Sequence, residues 1–144
     1  MNCAVYLNLD GTLTNNDVDF ADIYAHAIDA AGLETLADDY DTYTDNFFSY
    51  FQNGWAYPRR QAITQVMNDH GIDDTGQSDV FADAWEQEES GQATLRNGTK
   101  SALNAVKDAG HKLGIATNGT GALQRGKLET AGIKDVFDAV MISS

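Results

Sequence analysis

Basic residues are almost missing from the first two-thirds of this 144-residue chain, where Arg59 and Arg60 are the only Lys or Arg before position 96. Residues 1–95 hold 18 acids against 2 bases, and residues 96–144 hold 4 acids against 7 bases. So little positive charge argues against nucleic acid as a ligand, because its phosphates would be repelled. The surplus of Asp resembles proteins of salt-loving cells, where screening lets like charges lie together. Cysteine is equally scarce: Cys3 is alone, so no internal disulfide can form, and a lone thiol in an apolar segment is expected to be buried and structural. No run approaches the roughly 18 apolar residues of a membrane helix, so no membrane partner is expected. No basic stretch followed by an apolar one marks a signal peptide, and the expected compartment is the cytoplasm. The three histidines, His26, His70 and His111, lack metal-ligand spacing.

What is present follows a legible order. Cys3 to Leu7 is a short apolar strand. Residues 17–33 carry apolar side chains at helical spacing, among them Val18, Phe20, Ile23, Tyr24, Ala27 and Ile28, with Gly32 as a stop. An aromatic stripe of Tyr40, Tyr43, Phe47, Tyr50 and Phe51 predicts a helix over 38–52 with those rings in the core. Pro58, the only proline, suits the first turn of a helix ending at Gly71. A fourth helix over 78–89 puts Val80, Phe81, Ala84 and Trp85 on one face. Four amphipathic helices with no strand between them make a small bundle. Beyond it, a helix from Asn97-Gly98-Thr99 to Gly110, a strand over 112–117, a helix over 120–131 and a strand over 136–142 form a parallel, doubly wound α/β layout. The expected organisation is an α/β core of residues 1–16 and 96–144, with a helical domain of residues 17–95 inserted after the first strand.

The chemistry concentrates at two strand ends. Asn8 and Asp10 in Tyr6-Leu7-Asn8-Leu9-Asp10-Gly11-Thr12-Leu13-Thr14 are two residues apart, so alternation points both the same way. The stretch resembles the first signature of the haloacid dehalogenase-like hydrolase superfamily, an Asp-x-Asp-Gly-Thr-Leu run after an apolar strand. That resemblance implies a nucleophile at the first Asp, a general acid/base at the second and Mg²⁺ held by both. Here the nucleophile position is Asn8, and an amide is a very poor nucleophile towards phosphorus. Asp10, Gly11, Thr12 and Leu13 match. The second strand end, Thr117-Asn118-Gly119, resembles the second signature, a Ser or Thr that hydrogen-bonds the transferring phosphoryl group. A hydroxyl at a strand end beside a helix N-terminus is also a physical site for an anion. The resemblance extends to the helical insertion, which in that superfamily is a cap that covers the site and selects substrates.

A competing motif, Gly121 to Gly126-Lys127, has phosphate-loop spacing but carries Leu128 where a Mg²⁺-binding Ser or Thr belongs. Its Ala-Leu-Gln-Arg interior prefers helix. Lys127 lies on that helix and is a weak candidate for neutralising phosphoryl charge. The superfamily's third signature, a Lys often followed by Pro, and its fourth, an acidic pair, are not found in these 144 residues. The resemblance therefore spans about two-thirds of a typical member. It leaves a sheet edge beside the first strand, from which a homodimer is expected. Two functional readings follow. One is a phosphatase-like hydrolase acting on a small phosphorylated or anionic metabolite through an aspartyl-phosphate, with Mg²⁺ binding and turnover weak or absent because of Asn8. The other is a binding or interaction protein that keeps the fold without turnover. Retention of Asp10 favours phosphatase over dehalogenase chemistry.

Overall fold

The computed structural model describes residues 2–144. The chain divides into two compact units: the N-terminal residues to Val18 together with Ser90–Ser144, and Asp19–Glu89. The first is α/β. Strand β1 (Ala4–Leu7), β2 (Lys112–Asn118) and β3 (Ala139–Ser143) form a parallel sheet in the order β1-β2-β3. The parallel α/β class expected from the sequence is thus observed.

The sheet's two faces differ. Leu113 and Ile115 of β2 are buried with Leu103 of α5 (Thr99–Asp108) and Leu128 of α6 (Gly121–Thr130), and Val5, Leu7 and Val140 pack against the same cluster. The pleat sends Tyr6, Ala116 and Met141 to the other face, where Tyr6 is 48% and Met141 51% exposed. Both crossover helices contribute to one apolar layer, and the opposite face is uncovered among the described residues.

The second unit holds α1 (Phe20–Ala31), α2 (Tyr40–Gln52), α3 (Arg59–Asp69) and most of α4 (Thr75–Gly91). Helix α1 starts later than its apolar spacing indicates, because Asp19 caps it by accepting from the N–H groups of Ala21 and Asp22. Gly32 ends it in the left-handed conformation. Its core includes a cluster of rings: five pairs among Tyr24, Tyr43, Phe81 and Trp85 have centroids 5.2 to 5.9 Å apart. Aromatic pairs at such spacing add to their area burial.

Several expectations are corrected. Of the α2 aromatic stripe only Tyr43 is buried, while Phe51 is half exposed. Phe20 and Val80, which belong to the apolar spacing of their helices, are also exposed. Cys3 is exposed rather than buried, because it precedes the ladder and meets His111 Nδ1 at 3.5 Å. Val136 lies in a 3-10 turn, so β3 begins at Ala139.

Candidate anion site at the strand ends

The loop after β1 winds tightly around one carbonyl. The Leu9 oxygen accepts from the N–H groups of Thr12, Leu13 and Thr14 and from Thr14 Oγ1. That hub requires the chain to reverse at Gly11, whose φ of +70° suits glycine. Leu9 is buried in the core, so its neighbours Asn8 and Asp10 turn outward together, as alternation requires. Arg96 holds the loop from outside by donating Nη1 to the Gly11 carbonyl.

Asp10 and Thr117 are brought together by a residue the sequence reading did not single out. Gln124 Nε2 lies 2.8 Å from Asp10 Oδ2 and 2.8 Å from Thr117 Oγ1. Lys127 Nζ donates to Asp10 Oδ1 at 2.9 Å. Gln124 is fully buried and Lys127 and Thr117 nearly so, while Asp10 is partly open to solvent. Helix α6 makes this possible, because side chains three apart on a helix share a face. The signal was present in the sequence: Gln124 and Lys127 fall on the stripe that continues through Leu128 and Ala131. Two long polar side chains in a buried stripe need partners, and here both find Asp10. Since Thr117 accepts from Gln124, its own hydroxyl hydrogen is left to point elsewhere. A depression of about 280 Å³ lined by Thr117, Asn118, Ile142 and Ser143 opens beside it.

The other expected residues contribute differently. The Gly119 N–H donates to the Ser143 carbonyl at 3.0 Å and is therefore not a free anion donor. Gly119 instead supplies room, since a Cβ there would meet Gln124 Cγ at 2.6 Å. The Thr12 N–H is held by Leu9 and its side chain is exposed. Asn118 is exposed as well, one residue out of phase with Thr117. Asn8 Oδ1 accepts from the Leu9 N–H at 2.9 Å, and its Nδ2 donates to the Asp10 carbonyl at 3.2 Å.

These bonds bear on Mg²⁺, which demands a near-octahedral set of oxygen ligands. The Asp10 carboxylate is shared between Lys127 and Gln124, the Asp10 carbonyl meets the Asn8 amide, and Asn8 Oδ1 faces its own backbone. No group of three His, Cys, Asp or Glu able to hold a metal occurs among the described residues. The residues at this site do not fit the ion.

No helix among the described residues is long and apolar enough to cross a membrane. The family model for haloacid dehalogenase-like hydrolases matches residues 6–144. The chain is 31% identical over 127 residues to the pyrimidine 5'-nucleotidase YjjG of Escherichia coli (strain K12), covering 78% of this chain and 54% of that protein. Among solved structures it resembles a beta-phosphoglucomutase-type protein of Thermotoga maritima, with a TM-score of 0.63 at 18% identity over 99% of this chain and 61% of that one. It also resembles the magnesium-bound haloacid dehalogenase-like hydrolase YfnB of Bacillus subtilis, with a TM-score of 0.58 at 16% identity over 98% of this chain and 63% of that one. The chain thus spans about half the length of the nucleotidase and under two-thirds of the solved relatives. With a match running from β1 through β3, the chain belongs to the haloacid dehalogenase-like hydrolase family.

Proposed function

We propose that the strand-end site binds the phosphoryl group of a small phosphorylated metabolite, in a phosphatase-type hydrolase whose turnover is low as this chain stands. The observation that carries the reading is the pair of hydrogen bonds that Gln124 Nε2 donates to Asp10 and Thr117, which ties a carboxylate to a hydroxyl at the strand ends. In this reading Thr117 donates its hydroxyl hydrogen to a phosphoryl oxygen, and the Lys127 ammonium supplies nearby positive charge. Asp10 is the proton donor and acceptor, its two oxygens aimed by Lys127 and Gln124. Asn8 limits the chemistry, since an amide bonded to its own backbone does not attack phosphorus. Those same bonds favour a second reading, a phosphate-binding protein without turnover.

Two measurements test these readings on the full chain. Hydrolysis of para-nitrophenyl phosphate should stay near background with or without Mg²⁺. Robust turnover abolished by Asp10→Ala would overturn the low-activity reading. Inorganic phosphate binding followed by calorimetry should weaken about tenfold or more in Thr117→Val, the scale of a lost hydrogen bond to a charged group. Equal affinity in that variant removes Thr117 from the site. We also propose that the side of β1 not paired with β2 joins a second copy of the chain. Sedimentation at micromolar concentration should show a dimer, and a monomer there defeats this proposal.

A further inference from the structure

The helical unit contains a cavity of about 280 Å³ that the strand-end site does not involve. Its walls are flat rings. Phe47 and Phe51 stack with planes 9° apart, and Tyr43 and Trp85 close the interior. Against them lies Arg59, only 6% exposed, whose Nη2 donates to Glu89 Oε2 at 2.6 Å. The guanidinium carbon sits 5.2 to 5.9 Å from the ring centroids of Phe47, Tyr57 and Trp85. A purely structural role accounts for that stacking and for the ion pair. It does not account for the buried atoms left over: Arg59 Nε and Nη1 and Tyr43 Oη have no hydrogen-bond partner among the described residues. Burial also pushes the Tyr43 hydroxyl well above its ordinary value, so it remains a donor. Buried donors without acceptors are costly and uncommon in native proteins.

The occupant follows from these features. Flat aromatic walls select a planar ring, and a cavity on the order of 150 Å³ already holds a benzene ring, so this one has room for a substituted ring. Idle donors call for an acceptor oxygen on the ring. Charge decides the rest. Glu89 already offsets Arg59, and the unit carries 16 acids against 2 bases, so an anion is disfavoured. We propose that this cavity binds a neutral, planar aromatic or heteroaromatic ring bearing a carbonyl oxygen, which accepts from Tyr43 and Arg59. The proposal stands on the helical unit alone and is independent of the phosphoryl reading.

The test uses the full chain, with Trp85 fluorescence and saturation-transfer NMR as readouts, and benzamide, uracil, benzoate and ethylbenzene as probes. Benzamide and uracil should bind at millimolar concentration or below. Benzoate, of the same outline as benzamide but anionic, should bind at least about tenfold more weakly, as should ethylbenzene, which has no acceptor. Tyr43→Phe keeps the ring and loses only the hydroxyl, so benzamide affinity should fall about tenfold while ethylbenzene is unchanged. Thr44→Trp, which fills the cavity from its wall, should abolish binding of both neutral probes. No binding by benzamide or uracil, benzoate binding as tightly as benzamide, or an unaltered affinity in Tyr43→Phe would each overturn the assignment.

Discussion

The two units of this protein handle charge in opposite ways. Residues 19–89 carry 16 acids and 2 bases, a net −14, whereas the rest carries 6 acids and 7 bases, a net +1. The helical unit spends both its arginines on carboxylates, Arg59 on Glu89 inside and Arg60 on Asp79 at the surface. The α/β unit instead turns Lys127 towards a half-open Asp10. Their cores differ too: rings packed among aliphatic side chains in one, aliphatic side chains against a sheet in the other. The difference teaches that the chain's net charge of −13 hides two units of opposite balance. The proposed anion site lies in the one unit that is not acidic, and the apolar cavity lies in the one that is.

The sharpest way to break this comparison is Arg59→Leu. It removes the cationic partner of the buried Glu89 carboxylate, which keeps the Trp85 Nε1–H bond, and removing one partner of a buried pair costs roughly 3–5 kcal/mol. Denaturant unfolding should show the loss, and adding Glu89→Gln should recover much of it. If the single variant unfolds like the parent, the pair does not organise the helical unit. Next comes Gly119→Ala in the other unit. Its φ of +147° disfavours a side chain, and the new Cβ would push on Gln124. A cost of about 1–3 kcal/mol is expected, together with weaker phosphate binding as Gln124 leaves Asp10. Lost stability with unchanged phosphate affinity would separate Gln124 from the site.

The smallest effect concerns Asp138, whose carboxylate accepts from the Leu113 N–H and from Lys112 Nζ, joining β3 to β2. The Leu113 N–H first, and the Lys112 ammonium second, hold its carboxyl below the usual range. A folded-state value below the unfolded one gives stability that is present above the ordinary carboxylate value of about 4 and fades as pH falls through the lowered one. Asp138→Asn should therefore lower the thermal midpoint slightly at neutral pH, and the gap should close under acid. A gap constant with pH would mean that the carboxylate charge plays no part.

How much was legible can be argued from single residues. Asp10 and Thr117 could be paired from sequence because each sits at a strand end, and parallel strands bring their C-terminal ends together. Gln124 and Lys127 were partly legible, since helical spacing puts them on the buried stripe, but nothing local says which carboxylate they meet. The phosphate-loop spacing at Gly121–Lys127 was rightly set aside, because that stretch is helix α6. The aromatic stripe of α2 was misread as uniform core, since periodicity reports which side chains share a face and not whether a neighbour fills the space before them.

The sequence alone determined the order of elements, the turn at Gly11 and the amide at position 8. These depend on backbone torsion, local hydrogen bonding and side-chain chemistry, which act over a few residues. Only the tertiary structure decided that Gln124 would bridge Asp10 to Thr117, that Arg59 would meet Glu89 thirty positions away, and that rings from α1 to α4 would leave a hollow. Those outcomes depend on how close packing brings distant side chains together, and spacing along a chain does not contain that distance.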